Sequence, residues 1–94
     1  IPFRVMQLSY ESMEVIRAMA EKGNPNSVSD AGVGALCARS AVMGAFMNVR
    51  INTTGYDDQS YTKEVISRGR EIEQKAIAEE AAILAIVNEK IGVN

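Results

Sequence analysis

Histidine and tryptophan are absent from this chain, cysteine occurs once, proline twice, and aromatic residues fill 5% of its 94 positions. Each shortage removes a class of function. With no histidine and a lone Cys37, the chain lacks the His/Cys set of a structural zinc site or of most catalytic metal sites, so no metal is expected. It also lacks the side chain that titrates near neutral pH, which leaves proton transfer to a carboxylate, a lysine, a tyrosine or water. One thiol forms no intramolecular disulfide and gives no sign of an oxidising compartment, so a cytoplasmic location is expected. No uninterrupted apolar run reaches the ~20 residues of a membrane span, and the first residues lack a signal-peptide pattern. Acidic and basic residues are interleaved around a formal net charge of −2. Without a basic stripe, neither nucleic acid nor a membrane is an expected partner.

What is present is an ordinary globular balance, 47% hydrophobic and 23% charged, in a length that fits one small unit over residues 1–94. Pro2 suits a first helical position, and Val5, Met6, Leu8, Met13, Ile16 and Met19 follow mostly at helical spacing. A helix over residues 3–22 results, with Gly23 as its C′ glycine. Asn24-Pro25-Asn26 predicts a turn, and the loop is placed at residues 23–28. The second helix is expected over residues 29–52, with Ser27 and Asp30 arranged like a capping box. Between Ala31 and Val49 its one full charge is Arg39, so it reads as a central helix buried on most sides. After the loop 53–58, a third helix over residues 59–90 stops at Gly92. At ~1.5 Å per residue that helix is roughly 45 Å long, which makes the fold an all-α, elongated bundle of three long helices. Glu64/Arg68 and Glu71/Lys75 are four-residue pairs on its wet side, and Arg68, Arg70, Glu79 and Glu80 read as a solvated face. The five methionines read mainly as core filler.

At ~100° per residue, Asp30, Gly34, Cys37, Ala41, Gly44, Asn48 and Asn52 share one stripe of the second helix, and Arg39 points the other way. Small residues with polar ends permit either close packing of another helix or a ligand groove. Glycine inside a helix costs about 0.8–1 kcal/mol against alanine, so Gly32, Gly34 and Gly44 require close approach of something. Asp30 has a structural reading as a first-turn carboxylate at the helix dipole, and a functional one as a semi-buried group that binds an amine or donates a proton. Asn48 lies roughly 27 Å from Asp30 along the helix and cannot serve the same reacting atom. Cys37 reads as a small core residue with nothing to activate its thiol.

The run Gly23-Asn24-Pro25-Asn26-Ser27-Val28-Ser29-Asp30, continued by Gly44-Ala45-Phe46-Met47-Asn48-Val49-Arg50-Ile51-Asn52, resembles the formiminotetrahydrofolate cyclodeaminase and methenyltetrahydrofolate cyclohydrolase family, over essentially the whole chain. The resemblance is to the C-terminal half of the cyclodeaminase domain, as in formiminotransferase-cyclodeaminase. It implies a larger, dimeric, all-helical domain that converts 5-formiminotetrahydrofolate to 5,10-methenyltetrahydrofolate with release of ammonia, feeding one-carbon metabolism from histidine breakdown. Close relatives run cyclohydrolase chemistry instead. A tetrahydrofolate derivative is the implied substrate, no cofactor is needed, and a homodimer or higher oligomer through the central helix is the implied assembly. The family's Gly-rich segment and its upstream aspartate have no counterpart here, so the 94 residues are expected to be a piece that is inactive alone. Asn24, Asn26, Asp30, Gly34 and Asn48 are the implied folate-binding positions, with Asp30 the best catalytic candidate present. A non-catalytic helical dimerisation module is the competing reading.

Overall fold

The computed structural model describes residues 2–55 and 57–92. Ile1 and Tyr56, which the sequence reading used at the chain start and in the second loop, lie outside them. Three helices, α1 (Pro2–Lys22), α2 (Pro25–Thr53) and α3 (Gln59–Ile91), run up, down and up and pack pairwise. The bundle measures 52 × 19 × 17 Å, elongated as the length of the third helix requires. No strand occurs among the described residues.

The second helix starts at Pro25, four residues earlier than the sequence reading placed it. Proline restricts the residue before it to extended backbone, and an N-cap needs that same conformation. Asn24 accordingly sits at φ −75°, ψ 172°, and its Oδ1 accepts from the Ser27 amide at 3.0 Å. Pro25 occupies the first turn, where a missing N–H costs nothing. Ser27 is therefore a first-turn residue and the capping box with Asp30 does not form. At the other loop Asp58 caps α3 by accepting from the Tyr61 amide at 3.0 Å.

The two helix-ending glycines work differently. Gly92 is left-handed (φ 73°) and donates to the Asn88 carbonyl, as a C′ glycine does. Gly23 has no positive φ, which corrects its reading as a cap of that kind. It is required by space instead: a Cβ there would stand 2.6 Å from the Met19 oxygen and 2.9 Å from the Ser27 Cβ.

Phe46, Met6, Met13, Ile83, Val28 and Val42 are the largest fully buried side chains, each contributing about 1.5–3 kcal/mol by leaving water. The Phe46 ring enters α3 at Gly69, where a Cβ would lie 2.3 Å from a ring carbon. Two ion pairs tie α3 to its neighbours, Arg17 to Glu79 at 3.0 Å and Arg39 to Glu80 at 2.5 Å. Glu79 and Glu80 are thus half-buried bridging residues, not a solvated face, because they lie on the flank of α3 that meets the arginines. Glu71 and Lys75 pair at 3.1 Å as expected, whereas Arg68 lies over the Phe3 ring, 5.1 Å from its centre.

Two neighbours cover only part of a long apolar helix. Val33, Leu36, Met47 and Ile51 of α2 are exposed, so α2 is not buried on most sides, and Met47 and Met19 do not fill the core as Met6 and Met13 do. By length and composition residues Asn26–Thr53 could also cross a membrane, which qualifies the sequence reading of uninterrupted runs.

Candidate functional site

The structure places Asn24, Asn26 and Asp30 at the end of the bundle where α1 turns into α2, and all three are exposed. Asn24 has its carbonyl oxygen committed to the helix cap, which leaves its amide N–H groups to reach outward. Asp30 is not semi-buried. Because α2 starts at Pro25, Asp30 is the sixth residue of the helix and stands outside the first turn, where the dipole effect fades. Among the described residues it forms no ion pair. Exposed and unpaired, Asp30 is placed as a solvated surface carboxylate, which needs no partner to be stable there.

Gly34 lies one turn further on, and its missing side chain leaves room for Ile16 of α1, whose Cδ1 would stand 3.5 Å from a Cβ. Gly34 is thus a helix-packing position. Asn48 is exposed near the opposite end of α2, so the structure separates it from the other candidates. The ~27 Å of helix between them holds within this chain. Cys37 is exposed on the same stripe instead of being a core residue. No group of acidic and cysteine side chains suited to a metal ion forms among the described residues.

Beside Asn24 an open depression of about 360 Å³ lies between the end of α1 and the start of α2, lined by Val15, Ala18, Met19, Lys22, Gly23 and Ser27. Its floor is apolar, with one cation and one hydroxyl at the loop end. Asp30 follows Ser27 by one helical turn on the same side of α2. Lys22 was not singled out from sequence, and Met19 was read there only as part of the apolar spacing of the first helix. The legible signal was Lys22 in the last turn of α1, immediately before the Gly23-Asn24 corner.

The glycines of the central helix divide sharply. Gly32 faces Val87 of α3 at 3.3 Å and Gly34 faces Ile16, but Gly44 meets nothing within 4 Å. Its cost of about 1 kcal/mol in helix stability has no compensation among the described residues.

The architecture defines a class, an all-helical bundle with a polar corner at the start of its small-residue helix. Comparison with known proteins narrows it. The family model described as Formiminotransferase-cyclodeaminase matches residues 1–71, and the chain belongs to that family. It is also 36% identical over 64 residues to a methenyltetrahydrofolate cyclohydrolase from Methylorubrum extorquens, a match covering 68% of this chain and 31% of the relative. The matched part thus spans about a third of that protein. No solved structure matches.

Proposed function

We propose that this chain forms part of a folate enzyme working on the one-carbon unit between N5 and N10 of tetrahydrofolate. The first reading is cyclodeamination. N10 attacks the formimino carbon and gives up its proton, the terminal nitrogen takes up that proton and a second one from the acid, and its bond to the carbon breaks to release ammonia. The product is 5,10-methenyltetrahydrofolate. Positioning and a general acid suffice for such a step, with no metal or redox cofactor. The family match over residues 1–71 carries this reading.

Within the chain, Asp30 is the group suited to hold and deliver the proton. Val15 and Met19 offer an apolar wall for the flat ring system, and Lys22 a cation for a glutamate carboxylate. The amides of Asn24 and Asn26 would orient the polar ring edge. The second reading is cyclohydrolysis, favoured by the name of the Methylorubrum relative. There water adds to the methenyl carbon, the bond to N5 breaks, and N5 takes a proton, giving the 10-formyl product. The same acid at the same corner would serve both.

Titration of the chain with 5,10-methenyltetrahydrofolate tests the shared part. Saturable binding is expected, weakened at least tenfold in Asp30→Asn and in Lys22→Ala. Ammonia release from 5-formiminotetrahydrofolate marks the cyclodeaminase, and loss of methenyl absorbance without it the cyclohydrolase. Absence of both binding and turnover, in the chain and in any longer polypeptide that contains it, would sink the proposal.

A further inference from the structure

We infer that Lys90 is a positioning residue for the corner between α1 and α2: its ammonium closes the end of α1 and thereby sets where Lys22 and Asn24 stand. The clamp belongs to the fold, and its effect on a ligand rests on the folate reading. Three observations carry it, and the first is a helix end without a cap of its own. The last carbonyls of a helix lack partners within it, and a left-handed glycine commonly supplies them. Gly23 is not left-handed, and its N–H donates back to the Met19 carbonyl. The Glu21 carbonyl is met from another helix instead: the Lys90 Nζ donates to it across a separation of 69 residues. The corner that follows belongs to the candidate site, since Lys22 lines the depression and Asn24 caps α2 by accepting from Ser27.

The second observation is charge. α1 and α3 run in the same direction, so their C-terminal ends, each with a partial negative charge, lie at one end of the bundle. Lys90 stands in the last turn of α3, two residues before Gly92 ends it, and reaches the last turn of α1. One cation thus serves two helix ends. Lys22, the other cation of the corner, forms no ion pair among the described residues, so its charge stays available to a ligand.

The third observation is how Lys90 is delivered. About one turn before it, Val87 is buried and stands 3.3 Å from where a Cβ of Gly32 would be, and Ile83 is fully buried. Further back, Glu79 holds Arg17 at 3.0 Å. The half of α3 beyond residue 71 therefore grips α1 ahead of the corner and α2 behind it. The family match ends at residue 71, which leaves the corner inside the matched span and the clamp outside it.

Amide hydrogen exchange in the whole chain tests the clamp. Lys90→Met keeps the length and the apolar stem of the side chain and removes its charge and its donor. Exchange of the Gly23 and Ser27 amides is expected to quicken about fivefold, on the order of one hydrogen bond. The Tyr61 amide, which donates to Asp58 at the far end of the bundle, should keep its rate. Lys90→Arg retains a cation and a donor and should restore the wild-type rates. Titration with 5,10-methenyltetrahydrofolate reads the consequence, with a dissociation constant about fivefold weaker in Lys90→Met and unchanged in Lys90→Arg. Unchanged exchange at the corner in Lys90→Met overturns the inference, and so does an equal rise at Tyr61, which reports general loosening. A corner that loosens while binding stays as tight overturns the positioning role. A wild type that binds no folate, with a corner that still loosens in Lys90→Met, sinks the folate reading and upholds the clamp.

Discussion

Gly69 and Gly44 both interrupt long helices, yet one is fully accounted for and the other is not. At Gly69 the Phe46 ring occupies the place of a side chain, and a Cβ would stand 2.3 Å from it. At Gly44 a Cβ would enter open space. The same division runs along α2: its inner face holds Ala31, Ala35, Val42 and Phe46 in a closed core, and its outer face exposes Val33, Leu36, Met47 and Ile51. The inner face answers to contacts within these 94 residues. The outer face sets its four apolar side chains among Asp30, Ser40 and Asn48, and the described residues leave them exposed.

That contrast can be broken or sharpened by substitution. Phe46→Ala should cost about 3–5 kcal/mol of unfolding free energy in urea titration, the cavity opening against Gly69 of α3 in the buried core. A loss below 1 kcal/mol would show that the inner face is not the closed core described. Gly69→Ala should cost about 1–3 kcal/mol by overpacking, despite alanine's better helix propensity. Glu80→Gln leaves the half-buried Arg39 without its carboxylate, and a loss of roughly 1–2 kcal/mol is expected, between the values for exposed and fully buried pairs. Gly44→Ala should do the reverse and stabilise the chain by about 1 kcal/mol in the same titration, since its Cβ would meet nothing within 4 Å. Glu71→Ala, on the wet side of α3, should change stability by no more than about 0.5 kcal/mol.

Most of the fold was legible because it rests on local rules. The 3.6-residue period located all three helices, and Asp58 and Gly92 bounded the third. The start of α2 was misread because Pro25 was taken as a breaker, when it is equally suited to a first turn behind an asparagine cap. Tertiary facts were harder to read. Glu79 and Glu80 look like any solvated pair until Arg17 and Arg39 arrive from other helices. The division of glycines into Gly32 and Gly34, which receive Val87 and Ile16, and Gly44, which receives nothing, has no signature in sequence. At the candidate site the motif around Asn24 and Asp30 was visible, but its exposure and the adjoining Met19 and Lys22 wall depend on how α1 turns into α2.

The central claim is that the inner face of α2 is a closed core in which the Phe46 ring takes the place of a side chain at Gly69. Its most direct measurement is a double-mutant cycle of Phe46→Ala and Gly69→Ala in urea titration. Gly69→Ala is predicted to destabilise the chain that keeps Phe46, and to stabilise the chain in which Phe46→Ala has vacated the space, as alanine's helix propensity requires. An equal effect of Gly69→Ala in both backgrounds would contradict it.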